Sequence, residues 1–235
     1  MGAERFAGES AQNFEQKCLC VLVLDVSGSM KGEKLDELNN GVKSFFSQIQ
    51  NCDGVAEGTK DQLEVAIIQF DEDVRILRDP KLIEDDEFPP TLEQRGSVTE
   101  TVLAIEEAIK LSEDRKAFYK STGQRYYRPW IILMTDGEPY GSKASQADID
   151  QISAKVATDS QGKKYMMMGI GIGADANMEL LRKMTAGKGM KLDGVKFGEF
   201  FQWLSASLST VTQSKEGETV SIKDGVDNWM ESFDI

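Results

Sequence analysis

At 235 residues with 40% apolar content, the chain is long enough to bury a normal hydrophobic core, as one large domain or two small ones. It contains no histidine, which removes Ser-His-Asp and Cys-His catalysis, H-E-x-x-H zinc sites and any imidazole proton shuttle, so a bound metal must be held by oxygen or sulfur. A net charge of −13 repels phosphate backbones and anionic lipid, so neither nucleic acid nor a membrane surface is expected as a partner.

Residues 1–16 are polar and read as an N-terminal arm. They lack the basic-then-apolar order of a secretory leader, and Phe6 stands where N-myristoylation after Met1-Gly2 wants Ser or Thr. No apolar run approaches the ~18 residues of a membrane span. Cys18 and Cys20 lie two apart on one strand face, about 6.6 Å between Cα atoms and poorly placed for a bridge. With Cys52 alone, the expectation is reduced thiols and a cytoplasmic setting.

Val21 to Leu24 form a continuous apolar run that predicts a buried parallel strand ending at Asp25. Gly28 lets the chain turn, and Asp25, Ser27 and Ser29 crowd three oxygen-bearing side chains into one loop before a helix. Two readings stand for this D-x-S-x-S tip. It caps the following helix, as Ser and Asp ordinarily do, or it is half of a site for a hard cation.

Leu35, Leu38, Val42, Phe45, Phe46 and Ile49 recur at helical spacing and predict a helix over 34–50. Residues 51–61 read as a loop and Leu63 to Phe70 as a second strand, with Val74 to Leu77 as a short antiparallel edge strand beside it. No regular element is expected across 79–90, where Glu84 to Glu87 and Pro89-Pro90 suggest a solvated loop without calcium-loop spacing. Ser97-Val-Thr-Glu100 can be drawn as a capping box for a helix starting at Thr101. The basic and aromatic stretch 115–128 reads as a solvated connection. Pro129 to Thr135 is a third strand, again ending in a carboxylate, Asp136.

A helix over 149–156, a strand over 165–172, helices over 177–184 and 197–211, and a polar tail over 213–235 complete the chain. Val220, Ile222, Val226 and Trp229 give that tail a means to dock. Gly169-Ile-Gly-Ile-Gly-Ala174, with Asp193 further on, satisfies the dinucleotide fingerprint. It lies late in the chain rather than after the first strand, and Asp175 would meet a pyrophosphate with the wrong charge, so it reads as a Gly-rich strand end. The alternation of strands and helices predicts a doubly wound, mostly parallel α/β sheet with helices on both faces, a three-layer sandwich. Parallel strand tips then share one edge, where ligands bind in such sheets. Asp25, Ser27 and Ser29 join Asp136 there, which favours the metal reading over the capping one.

Through Asp25-Val-Ser-Gly-Ser29 and Met134-Thr-Asp-Gly137, the chain resembles the von Willebrand factor A domain family, with the domain over 17–212. The resemblance implies a metal-ion-dependent adhesion site of Asp25, Ser27, Ser29, Asp136 and a second-loop threonine. Gly96-Ser-Val-Thr99-Glu-Thr101 departs from the family's Gly-Gly-Thr, and Thr99 is chosen by its spacing to Ala104-Ile105, with Thr101 and Ser97 as rivals. It implies Mg²⁺, with Mn²⁺ or Ca²⁺ as alternatives, a non-enzymatic role, and a partner protein offering an Asp or Glu carboxylate. Phe201 to Thr210, with Gly173-Ala-Asp-Ala176 before it, is similar to the bacterial tellurite-resistance TerY-type group. That similarity implies bacterial cytoplasm, a stress or tellurite-resistance system, and phosphatase or kinase partners. The competing function is an Mg²⁺-dependent phosphohydrolase, because metal at a parallel sheet's tip also serves phosphoryl transfer. Against it, Ser27 stands where a haloacid-dehalogenase-type site wants a second Asp, and there is no GK[ST] phosphate loop.

Overall fold

Six strands, β1 (Cys18–Asp25), β2 (Leu63–Phe70), β3 (Val74–Leu82), β4 (Trp130–Thr135), β5 (Met166–Ile172) and β6 (Gly189–Leu192), form one sheet in the order β3-β2-β1-β4-β5-β6. The computed structural model describes residues 5–174, 176–192 and 196–214. Every strand pairing is parallel except β2 with β3, as expected for a doubly wound sheet with one antiparallel edge. Among the described residues six α-helices accompany the strands: α1 (Glu33–Asn51), α2 (Thr59–Gln62), α3 (Thr101–Ser121), α4 (Gln146–Gln161), α5 (Met178–Met184) and α6 (Phe197–Gln213).

The largely apolar strands β1, β2 and β4 are buried throughout because both sheet faces are covered. Cys18, Cys20, Leu22 and Leu24 face a core shared with Val42, Phe45 and Phe46 of α1 and Phe200, Phe201 and Leu204 of α6. Leu19, Val21 and Val23 face the other layer, formed by α3, α4 and α5. The three cysteines are unbridged, two of them buried on the α1 face.

Several expectations need correction. The edge strand is not short, since β3 runs through Pro80 to Leu82. The β2–β3 register shifts twice, so that Asp79 and Pro80 bulge opposite Ala66, and an edge bulge is where a strand tolerates proline. Arg78 explains why the bulge holds. Its guanidinium donates to the carbonyls of Val65, Lys81 and Leu82 and grips both oxygens of Glu87 at 2.8 and 2.9 Å. Glu87 is therefore a structural partner, whereas Glu84 and Asp85 are exposed as a solvated loop would have them.

The first half of the stretch 115–128 is not a solvated connection, because α3 continues to Ser121 and buries Arg115, Lys116, Phe118 and Tyr119; the connection to β4 starts only after it. The Arg115 guanidinium pairs with Glu64 of β2 at 2.6 and 2.7 Å and lies over the rings of Phe6, Phe118 and Tyr119. Phe6 is itself buried, so the described part of the arm packs on the domain. The drawn capping box is absent too: Glu100 occupies the α3 cap position without a side-chain cap bond. The supposed loop before β2 contains α2, and the unanticipated β6 adds a last parallel strand. The docking proposed for the tail, from residue 215 on, falls outside the described residues, as do Asp175 and Asp193.

Strand order reverses at β1, whose neighbours are β2 on one side and β4 on the other. The carboxyl ends of β1 and β4 therefore flank the switch point, the position at which doubly wound sheets open a crevice.

Candidate metal centre

β1 ends at Asp25, which is fully buried, and the chain passes into a single 3₁₀ turn over Gly28–Met30. Ser27 stands at the cap position of that turn and Gly32 at that of α1, yet neither position carries a side-chain cap bond. The capping alternative for the D-x-S-x-S loop is thus not realised, and its hydroxyls turn elsewhere. Ser27 Oγ and Ser29 Oγ lie 3.2 Å apart, and the Ser29 hydroxyl donates to Asp136 Oδ1 at 2.6 Å. Asp25 Oδ1 accepts from the Ser27 N–H at 2.8 Å, and its Oδ2 accepts from the Thr135 hydroxyl at 2.6 Å.

The second loop is tied to the third. The Thr99 N–H donates to the Tyr140 carbonyl at 2.8 Å and the Tyr140 N–H donates back at 3.0 Å. A Cβ on Gly137 would lie 3.9 Å from Thr99 Oγ1 and 4.0 Å from Ser29 Oγ, so both hydroxyls border the same glycine. Of the rival hydroxyls, that of Thr101 points back toward the Thr99 carbonyl from a fully buried position, and Ser97 is exposed beside Gly28. The structure brings Asp25, Ser27, Ser29, Thr99 and Asp136 together at one edge of the sheet.

Burial pushes the Asp25 carboxyl up to about 6, against the opposing hydrogen bonds from Thr135 and Ser27 and with a smaller contribution from the nearby Asp136 charge. A buried carboxylate in this position favours a neighbouring positive charge. Among the described residues, no three or more Asp, Glu, Cys or His side chains gather closely enough to share a metal. Two carboxylates with three hydroxyls beside them would suit a hard divalent ion rather than a soft one.

Three contributors escaped the sequence reading. Asp71, just past β2, accepts from the N–H groups of Arg95 and Gly96 at 3.0 Å each, while its carbonyl accepts from the Glu100 N–H at 3.0 Å. It thereby fixes the loop that carries Thr99. Its signal was visible: an apolar strand followed by Asp occurs at Asp25, Asp71 and Asp136 alike. Glu100, in place of a cap, accepts from the Ser142 N–H at 2.5 Å and braces the third loop. Lys34, in the first turn of α1, donates to Asp136 Oδ2 at 2.5 Å. No local pattern marks it.

The glycine-rich stretch has a packing reason. A Cβ on Gly169 would lie 2.6 Å from Leu181 Cγ, and one on Gly171 would collide with Met178, so these glycines let α5 lie close against β5. Asn177 caps α5, accepting from the Leu180 N–H at 3.1 Å.

The von Willebrand factor type A domain model matches residues 20–201, and the chain belongs to that family. No curated protein matches this sequence. Among solved structures, proximal thread matrix protein 1 from the mussel byssus, with a zinc-occupied MIDAS motif, is 16% identical with a TM-score of 0.54, over 83% of this chain and 48% of that one. The pilus adhesin SpaC from Lactobacillus rhamnosus GG is 12% identical with a TM-score of 0.62, over 92% and 36%. The vWF domain of the type V pili tip protein Mfa5 from Porphyromonas gingivalis is 11% identical with a TM-score of 0.56, over 88% and 99%. At these identities the likeness is one of fold, and the chain spans about half the length of the mussel protein. Among the described residues no helix is long and apolar enough to cross a membrane.

Proposed function

We propose that this chain is a non-enzymatic protein-interaction domain that binds an Asp or Glu carboxylate of a partner protein through a divalent cation. Asp25, Ser27, Ser29, Thr99 and Asp136 are its side-chain ligands. The observation that carries this reading is the convergence of five oxygen-bearing side chains at the switch point, with the Ser27 and Ser29 hydroxyls not spent on capping. Mg²⁺ is the preferred ion and Mn²⁺ or Ca²⁺ the alternatives, since the set holds neither imidazole nor thiolate. Zinc in the motif of the mussel byssus protein supports a divalent site in this fold position. A bound cation would supply an open coordination position to an incoming carboxylate oxygen.

The similarity of Phe201 to Thr210 to the TerY-type group supports a cytoplasmic role in a bacterial stress or tellurite-resistance system. Phosphatase or kinase partners belong to that proposal. The test is calorimetric titration of the EDTA-stripped full chain with Mg²⁺ and Mn²⁺, followed by partner capture in Mg²⁺ and elution with EDTA. Ser27→Ala should weaken cation binding at least about tenfold, the loss of one good oxygen ligand, and lose the captured partner. Full partner affinity in that variant, unaffected by chelator, would sink the reading. Phosphatase or nucleotide turnover that Ser27→Ala abolishes would instead establish an enzyme.

A further inference from the structure

One cationic side chain reaches into the oxygen cluster. The Lys34 ammonium donates to Asp136 Oδ2 at 2.5 Å while the Ser29 hydroxyl donates to Oδ1 at 2.6 Å. The Asp136 side chain is 2% exposed and that of Lys34 36%, so the lysine covers the carboxylate from the solvent side. A Cβ on Gly173 would come within 3.9 Å of Lys34 Nζ, which places the lysine head beside the end of β5. Among the described residues, Asp136 is the carboxylate within ion-pair distance of Lys34.

All four carboxylate oxygens of Asp25 and Asp136 thus have a donor. These donors are not equivalent toward a cation. The Ser29 hydroxyl can rotate its proton away and present a lone pair, and so join the ligand set. An ammonium has no lone pair to offer, so Lys34 can only compete. Its four-carbon stem lets the head swing into solvent without disturbing α1.

We propose that Lys34 is a tethered counter-ion of the cation site. Without a divalent ion it neutralises Asp136, and it gives way as one enters, so it holds the affinity below what the oxygen donors alone would provide. This rests on the cation-site reading of Asp25, Ser27, Ser29, Thr99 and Asp136. Reversible loading is the consequence, because each binding event exchanges one electrostatic partner of Asp136 for another.

The experiment is titration calorimetry of the EDTA-stripped full chain with Mn²⁺ and Mg²⁺, comparing wild type, Lys34→Met, Lys34→Gln, Lys34→Arg and Ser27→Ala. Both neutral variants should bind roughly tenfold more tightly than wild type, the scale of removing one charge whose side chain is 36% exposed. Lys34→Arg should stay near wild type because it keeps the charge. Binding by the neutral variants where wild type shows none also supports the counter-ion. Wild-type affinity, or weaker, in folded Lys34→Met and Lys34→Gln overturns it while leaving the cation site standing. No heat in wild type or in either neutral variant overturns the cation site, and the counter-ion with it.

Discussion

At the scale of single residues, Asp159 shows how a buried carboxylate is kept charged when its partners lie at hand. Burial would raise its pKa, but hydrogen bonds from the Lys155 and Lys164 ammonium groups and the Tyr165 hydroxyl outweigh that effect and hold it at about 2. A carboxyl depressed in the folded state contributes stability above its unfolded pKa near ~3.9 and loses it as pH falls toward the folded value. Asp159→Asn should therefore cost about 1–2 kcal/mol at pH 7, discounted because Lys155 and Lys164 are half exposed. The gap to wild type should close between about pH 4 and pH 2. Urea titrations of both proteins across that range measure it, and a gap independent of pH would mean that Asp159 acts through packing alone. Asp25 stands in contrast: it is buried with hydroxyl and amide donors and, among the described residues, no cation of its own, and its carboxyl is raised. Asp159 is surrounded by two ammonium groups and a phenol, whereas Asp25 has hydroxyl and amide donors in a more desolvated position.

At the scale of elements, legibility in the sequence followed apolar periodicity. α1 and the strands β1, β2 and β4 were readable because their apolar positions face a core at fixed periods. The far half of α3 and the end of β3 were not, because their polarity is answered by distant residues. Arg115 looks solvated until Glu64 is placed beside it, and Pro80 looks like a terminator until Arg78 fills the bulge. β6, only four residues with a lysine among them, carries too little pattern to detect. The candidate site divides the same way: Asp25, Ser27, Ser29 and Asp136 stand out by spacing, and Asp71 repeats the strand-then-Asp pattern, while Lys34 acts through a partner far away in the chain. Contact between α1 and α6 offers a test of packing at this scale. A Cβ on Gly41 would lie 2.7 Å from Phe201 Cδ2 and 2.9 Å from Phe197 Cβ, and both phenylalanines are fully buried. Helix propensity favours alanine over glycine by about 1 kcal/mol, but overpacking costs about 1–3 kcal/mol. Gly41→Ala should thus be destabilised by up to about 2 kcal/mol in urea unfolding. A gain in stability would show that α6 can shift away from α1 without loss.

For the whole molecule, charge and ligand linkage meet in one measurement. The chain carries a net charge of −13, so any salt relieves part of its self-repulsion and raises its melting temperature without occupying a site. A divalent ion held by Asp25 and Asp136 would add a separate term, because it would bind the folded chain and find no assembled site in the unfolded one. At one hundred times its dissociation constant the ion stabilises by about 2.7 kcal/mol, which for a domain of this size corresponds to roughly 5–10 °C. Scanning calorimetry of the EDTA-stripped protein should show that rise with Mg²⁺ over a NaCl control of matched ionic strength. Ser27→Ala should keep the NaCl response and lose the Mg²⁺ increment, since screening does not depend on one hydroxyl. Equal melting temperatures for wild type in Mg²⁺ and in matched NaCl would leave the acidic surface to account for the whole effect, and the loops around Asp25 would then be an assembly of hydrogen bonds rather than a cation site.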